Sequence, residues 1–448
     1  MAWKKVKIGE FLNRVKKKED IKDNKIYKRV TIKSKNKGIC VRDIVYGNEI
    51  GTKKQFKISK GQFLLSKIDA RFGAFGIVPD ELDEAIITGN FWTYDVDYKL
   101  VNIELFNLLV SSKNFIDICN KASSGTTHRK YLNEEKFLNF EIKLPDIQIQ
   151  NQIVERYKKI EKKINILNQE ITNQEELLKK LRQAILQEAI EGKLTKEWRE
   201  KNPNVENANI LFEKIQKEKE NLIKQKKIKK QKPLPPITNE EIPFEIPDTW
   251  KWCRFVDITS VITCGIASTP KYYESGKIFL SAKNIKPYKF LPEEHKYIDN
   301  ETYNKIISNA KPEKNDILLT RVGAGIGESA IIDKDIDFAY YVSLTLIKPI
   351  HKYINSKFIV HFLNSNEGIK NAVTYSTGKG SSQGNLNVNN VRKFLLPIPP
   401  LEEQKEIVKK IDNLFQMCDK LETEIKKSKQ NSEMLIKALL KEVFEDED

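Results

Sequence analysis

Two short loops hold side chains suited to ligand contact. The first, SSGTTHRKY at 123–131, gathers Thr127, His128, Arg129 and Lys130. The second, TGKGSSQG at 377–384, gathers Lys379, Ser381, Ser382 and Gln383. Lys67 and Arg71 in KIDARFG, and Arg321 in RVGAGIG, add cations near other turns. Hydroxyls, amides and cations on small turns hydrogen-bond phosphates and base edges. This chemistry is contact rather than bond making. An ordinary solvated loop is the plain alternative for both stretches.

Patterns that would make or break bonds are incomplete. RVGAGIGESA resembles a phosphate cradle, but a cradle needs a helix directly after its glycines. Here SAIIDKDIDF reads as a strand and turn. TGKGSS fails as a P-loop, because the position that needs glycine is Val373 and Lys379 precedes Gly380. Asp80 with Asp97 and Lys99 fits a nuclease pattern loosely, but the other half of the chain does not repeat it. No nucleophile elbow, helical His-Glu-x-x-His or amine-methylating Asn-Pro-Pro-Tyr motif occurs. The expectation is therefore no catalytic and no metal-binding residue in this chain.

Charge supports contact with a polyanion. The 448 residues carry a formal charge of +16, with a pI near 9.2, which points to a polyanionic partner and to nucleic acid first. A membrane surface is the rival, yet no apolar run approaches the ~18 residues a span requires. The N-terminal MAWKKVKIGEF lacks an apolar signal core, and the five cysteines form no C-x-x-C. A cytoplasmic, metal-free protein is expected.

The elements that must position these loops occur twice. LPDIQIQNQIV at 144–154 returns as IPPLEEQKEIV at 398–408, and Gln150 and Gln404 are separated by 254 residues. The same step takes Leu64-Leu65 to Leu318-Leu319, Lys67 to Arg321, Gly73 to Gly327 and Leu132-Asn133 to Leu386-Asn387. Trp3 and Trp250 open the halves with a step of 247. After Pro145, Ile153, Ile160, Ile164, Leu167 and Ile171 recur at steps of seven, four and three, which is a coiled-coil seam. Ile407, Ile411, Leu414, Leu421 and Ile425 form the second seam, which Ser428 and Ser432 interrupt. Each helix of about 40 residues would be roughly 60 Å long. Such stripes must be covered, so antiparallel pairing is expected, with a globular half set apart at each end of the rod. A plain structural coiled coil would leave the duplicated halves unexplained.

The expected fold class is α+β, with an internal pseudo-two-fold repeat. Mixed α/β halves at 1–144 and 245–398 are joined by helices at 145–192 and 399–448, with a basic, proline-rich connector at 193–244. GQFLLSKI and DILLTRV read as strands, and IELFNLLVSSKNFIDICNKA and SKFIVHFLNSNEGIKNAV as helices. The connector's lysine run is either a solvated face or a phosphate contact.

Three stretches carry a family resemblance: LPIPPLEEQKEIVKKID, LLKKLRQAILQEAIEGKLTKEWR and EKIQKEKENLIKQKKIKKQKPLPPITNEEIPFEIPDTWKW. Their order and the two-half layout resemble the specificity (S) subunits of type I restriction–modification systems. The resemblance spans the chain, and the globular halves match in plan only. It implies that each half is a target recognition domain reading one part of a bipartite, asymmetric site on double-stranded DNA. It implies that the helices act as a ruler and dock two modification (M) subunits. Those would carry S-adenosylmethionine, and restriction (R) subunits would bring ATP and Mg. This chain would hold no cofactor. A stand-alone DNA methyltransferase or nuclease, or a coiled-coil scaffold without a DNA role, are the alternatives.

Overall fold

The repeated apolar runs are buried strands in the computed structural model, which describes residues 3–125, 130–378 and 384–444. Phe63–Ser66 and Ile317–Thr320 are buried at every position. Each lies inside a four-stranded antiparallel sheet. The first sheet runs Leu12–Val15, Phe91–Val96, Phe63–Ser66, Phe75–Ile77. The second runs Thr259–Cys264, Leu344–Pro349, Ile317–Thr320, Ser329–Ile331. Burial on both faces explains why these strands read as continuous apolar runs rather than alternating ones.

The start and end of each half are paired. Lys4–Lys7 lies antiparallel to Glu141–Leu144, and Lys251–Arg254 lies antiparallel to Leu395–Ile398. The different steps of 247 and 254 thus belong to the two partner strands of one repeated ribbon. Outside this common frame the halves diverge. The first adds a five-stranded sheet with the long hairpin Ile26–Ile32 and Ile39–Tyr46. The second adds a three-stranded sheet and a two-stranded ribbon.

Two compact units divide the chain: Met1–Ile171 with Lys427–Asp448, and Thr172–Lys426. The five segments expected from sequence are grouped differently here, because each long helix contributes to both units. The helices are Ile147–Ile190 and Leu401–Phe444, 44 residues each, or about 66 Å. They start two residues after Pro145 and Pro399. Gly192, with φ +73°, follows the end of the first.

The pairing is antiparallel within the second unit. Arg182 donates to Asp419 Oδ1 at 2.5 Å and Glu422 Oε2 at 3.3 Å, while Lys410 Nζ reaches Leu194 O at 2.9 Å. Buried residues recur every seven positions, at Ile164, Ile171, Leu178 and Ile185 on one helix and Ile411 and Cys418 on the other. Ile407 is also buried, whereas Ile153, Ile160, Leu414 and Ile425 are partly buried. Two expected pairing residues are on the outside: Leu167 is 42% exposed and Leu421 52% exposed. The physical reason is geometric. A single partner helix covers a narrow strip, so every seventh residue is buried and the intervening apolar position lies on the flank. In the first unit Ser432, an interruption by sequence, is 2% exposed. Its Oγ donates to Asn168 Oδ1 at 2.8 Å. A satisfied polar pair in a seam costs stability and selects one register.

The repeated Pro-x-x-x-x-Gln has a structural task at each joint. Gln150 Nε2 donates to Pro145 O at 2.8 Å and Leu100 O at 3.0 Å, while its Oε1 accepts from Asn102 N at 2.8 Å. Gln404 Nε2 donates to Pro399 O at 3.0 Å and Tyr353 O at 3.5 Å, and accepts from Asn355 N at 2.8 Å. Asn102 and Asn355 in turn cap the helices Ile103–Val110 and Ser356–Leu363. One buried amide therefore fastens a long helix to its globular half, twice. Lys158 pairs with Glu104 at 2.7 Å beside the first joint, and Lys357 pairs with Asp412 at 3.1 Å beside the second. The positions are equivalent and the charges are exchanged.

Candidate nucleic-acid interface

The matched Leu-Asn pairs hold the basic loops. Leu132 N donates to Lys67 O at 2.8 Å, and Leu386 N donates to Arg321 O at 2.8 Å. Asn133 and Asn387 then cap the short helices that follow. Gly73 and Gly327 have φ of +77° and +93°, a conformation most side chains avoid. The glycine-rich run near 323–327 is accordingly the connection between the antiparallel strands Ile317–Thr320 and Ser329–Ile331, and not a phosphate cradle.

In the first half, Lys67 places its Nζ 5.8 Å from the Trp92 ring centre, with the Arg14 guanidinium 4.8 Å from the same ring. Arg71 lies in the turn Ala70–Phe72, its guanidinium 4.5 Å from the Phe72 ring. Lys130 begins the strand Lys130–Leu132, which pairs with Ser123–Gly125 at the base of the basic loop. Thr127, His128 and Arg129 lie outside the described residues.

The long hairpin supplies cations that sequence reasoning missed. Lys35 N donates to Phe72 O at 2.7 Å and Asn36 N to Gly73 O at 3.1 Å. A Cβ on Gly73 would meet Asn36 Oδ1 at 2.5 Å. The hairpin tip, with exposed Lys33, Lys35 and Lys37, is thereby seated against the Arg71 turn. The tetrad Lys-Asn-Lys-Gly at 35–38 marks a turn in the sequence, but nothing in it marks where that turn is seated.

In the second half Arg321 is 8% exposed. Its Nε donates to Leu386 O at 2.7 Å, Nη1 to Val342 O at 2.9 Å and Nη2 to Asn385 Oδ1 at 2.8 Å. With those donors engaged inside the chain, Arg321 positions the loop rather than facing outward. Lys379, Ser381, Ser382 and Gln383 lie outside the described residues.

Two clefts open at equivalent joints. One, of about 510 Å³, is lined by three carboxylates (Asp80, Glu104, Glu161) against Lys158. The other, of about 710 Å³, has Lys314, Lys352, Lys357 and Lys405 against Asp333 and Asp412. The second also holds His361, which is buried with neither ring nitrogen hydrogen-bonded among the described residues. Burial pushes its pKa down to about 4, opposed by Asp412 and assisted by Lys357. The clefts therefore differ in sign of charge.

Among the described residues, no group of three His, Cys, Asp or Glu side chains is placed to hold a metal ion. Asp80 pairs with Lys60 at 3.9 Å, and Asp97 accepts from Lys99 N at 2.9 Å. No helix among these residues is long and apolar enough to cross a membrane.

The three stretches that carried the resemblance converge in the second unit. Thr195 Oγ1 and Arg199 Nη1 donate to Glu403 Oε1 at 2.7 and 2.5 Å, and Trp250 Nε1 donates to Glu403 Oε2 at 2.9 Å. Glu403 is 1% exposed. Its counterpart in the first half is Ile149, and the break in symmetry follows from these partners.

Residues 2–176 and 247–428 match the family described as Type I restriction modification DNA specificity domain. The Escherichia coli EcoEI specificity subunit is 30% identical over 267 residues, covering 58% of this chain and 44% of that protein. The EcoAI specificity subunit of the same species is 31% identical over 264 residues, covering 58% and 43%. The matched stretch thus spans less than half the length of these relatives. The fold is shared with a chain solved in work on complex assembly and conformational transition of the type I R-M system, with a TM-score of 0.65, 15% identity and coverage of 99% and 98%. It is shared too with the HsdS subunit from Thermoanaerobacter tengcongensis, with a TM-score of 0.55, 15% identity and coverage of 99% and 97%. A match that takes in both halves and the greater part of both long helices makes this chain a member of the type I restriction modification DNA specificity domain family.

Proposed function

We propose that the chain is the DNA-reading specificity subunit of a type I restriction–modification complex. Each half reads one part of a bipartite, asymmetric site, and the paired helices set the unread gap. The observation that carries this reading is one frame built twice, with basic loops at matched places and differing outer sheets. A shared frame suits two similar docking tasks, and divergent outer sheets suit two different sequences. The positive charge supplies affinity that falls with salt, and base-edge contacts supply discrimination of about 1–3 kcal/mol per base pair.

The same reading gives the exposed apolar residues on the helices a use. Leu177, Leu181, Met417 and Leu421 in the second unit, and Ile166, Leu167, Met434 and Leu435 in the first, are exposed. They suit docking of two modification subunits, which would hold S-adenosylmethionine. Restriction subunits with ATP and Mg would complete the complex, and this chain would catalyse nothing. A cytoplasmic location follows from the DNA target.

Co-expression with the neighbouring modification subunit, followed by genome-wide mapping of methylated adenines, tests this. The expected result is a two-part motif with a fixed unread spacer. A continuous motif, or turnover by the isolated chain, would defeat the reading. Arg129→Ala is expected to alter or weaken recognition of one half-site only, read from the same map. Adding about one turn to both long helices should widen the spacer and leave the half-sites unchanged. An unchanged spacer would sink the ruler.

A further inference from the structure

The connector's lysine run is folded against other cations. The helix Ala208–Lys224 buries Leu211 and Ile215 in the core of the second unit. It stops where Lys226 turns to φ +59° and Lys227 N donates to Leu222 O at 2.9 Å. Pro233, Pro235 and Pro236 then prevent a helix from resuming. Buried Arg254 fixes the path of the connector. Its Nε donates to Pro235 O at 3.2 Å, its Nη2 to both Glu241 oxygens at 3.1 Å, and its Nη1 to Lys393 O at 3.4 Å. The result is a cleft of about 460 Å³ with Lys229, Lys230 and Lys232 on one side and Arg392 and Lys393 on the other.

Among the described residues, no carboxylate lines this cleft. A solvated lysine run would project away from other cations, whereas this one is held beside two more. Like charges confined together raise the energy of the fold until an anion joins them. Arg392 is held in place, its Nη1 donating to Asn389 Oδ1 at 3.4 Å and its Nη2 to Ile262 O at 3.2 Å, while its Nε and Gln231 Oε1 are buried without a partner among the described residues. Lys229 to Lys232 spans about 10 Å of extended chain, a length that suits a linear polyanion better than a single phosphate. Arg392 also lies at the end of the short helix Val388–Val391, which follows the strand Asn385–Leu386 at the base of the second basic loop.

We infer that this cleft is a sequence-independent binding site for the DNA phosphate backbone, beside the helix that follows the strand Asn385–Leu386. The inference rests on the proposed DNA-reading function and adds a site formed between the connector and the second globular half. The cleft contributes affinity and register, and no base discrimination.

The test uses the full chain with a random-sequence duplex, because the phosphate term does not depend on sequence. Affinity is measured from 50 to 200 mM salt for the chain and for a variant combining Lys229→Gln, Lys230→Gln and Lys232→Gln. These side chains are exposed and their loss relieves repulsion, so the variant should stay folded with a thermal midpoint equal to or above that of the parent. The slope of log affinity against log salt is expected to become shallower by about two to three, at roughly 0.9 for each phosphate no longer neutralised. The methylated motif of the assembled complex should stay the same. A wild-type slope in the folded variant overturns the inference. So does an unchanged slope with lost association of the modification subunit, which would make the cleft a protein-docking surface. If the unmodified chain shows no salt-dependent affinity for duplex, the DNA-reading function itself falls with it.

Discussion

Glu403→Ala is expected to lower the stability of the chain by about 3–5 kcal/mol, the cost of breaking a buried ion pair by removing one partner. The substitution strands the Arg199 guanidinium, which is 5.9 Å from the Trp250 ring centre. It also leaves Thr195 Oγ1 and Trp250 Nε1 without an acceptor. A shift of the urea midpoint checks it. Trp250→Phe removes one donor only and should cost far less, on the order of 1 kcal/mol for the hydrogen bond plus a packing loss. Combining Glu403→Ile with Arg199→Leu copies the apolar solution of the first joint and should recover part of the loss, because well-packed apolar groups can replace buried ions. A Glu403→Ala chain as stable as the parent would show that this carboxylate does not hold the three segments together.

Acid should destabilise the chain through His361. The ring is neutral in the fold, with its pKa down at about 4, whereas the unfolded chain takes up the proton near 6.5. Between those values the unfolded state binds more protons, so stability falls as pH drops through that window. It is fully retained above about 6.5 and fully lost below about 4, amounting to about 3 kcal/mol. Asp412 Oδ1, 3.9 Å from Nε2, opposes the shift, and Lys357 reinforces it. Tyr288 and Phe415 supply the aromatic walls, at ring separations of 5.4 and 6.0 Å. His361→Phe keeps a ring among those walls and removes the proton site. Urea midpoints from pH 7 to 4 should therefore fall less steeply in this variant. An identical acid limb would place the proton uptake elsewhere.

Much of the frame was readable because it rests on periodicity. The runs around Leu64 and Leu318 are buried on both faces, and uninterrupted apolar residues report that directly. The helices were visible from their seven-residue repeat, but the identity of the covered positions was not. Leu167 and Ile164 look alike in sequence, and how many partners surround the helix decides which is buried. The site was less readable because it depends on where donors go. A basic residue at position 321 suggests an outward cation until Leu386, Val342 and Asn385 are seen to accept its hydrogen bonds. Glu403 gave no local signal, since its partners lie more than 150 positions away. Lys33, Lys35 and Lys37 were legible as a turn but not as part of a site, because a hairpin tip is ordinarily solvated. Its placement beside Arg71 depends on backbone bonds to Phe72 and Gly73.

The exchanged ion pairs at the two joints set a condition on any exchange of globular halves between the helices. A globular half moved by recombination onto the other half's helix would set Glu104 beside Asp412, or Lys357 beside Lys158. Each exposed pair is worth no more than about 1 kcal/mol, but the exchange turns an attraction into a repulsion while Gln150 and Gln404 fit either acceptor set. The joint is thus permissive in shape and selective in charge. Crossovers that carry the first turns of the helix along with the half-domain would avoid that penalty, and those that cut at the proline would incur it.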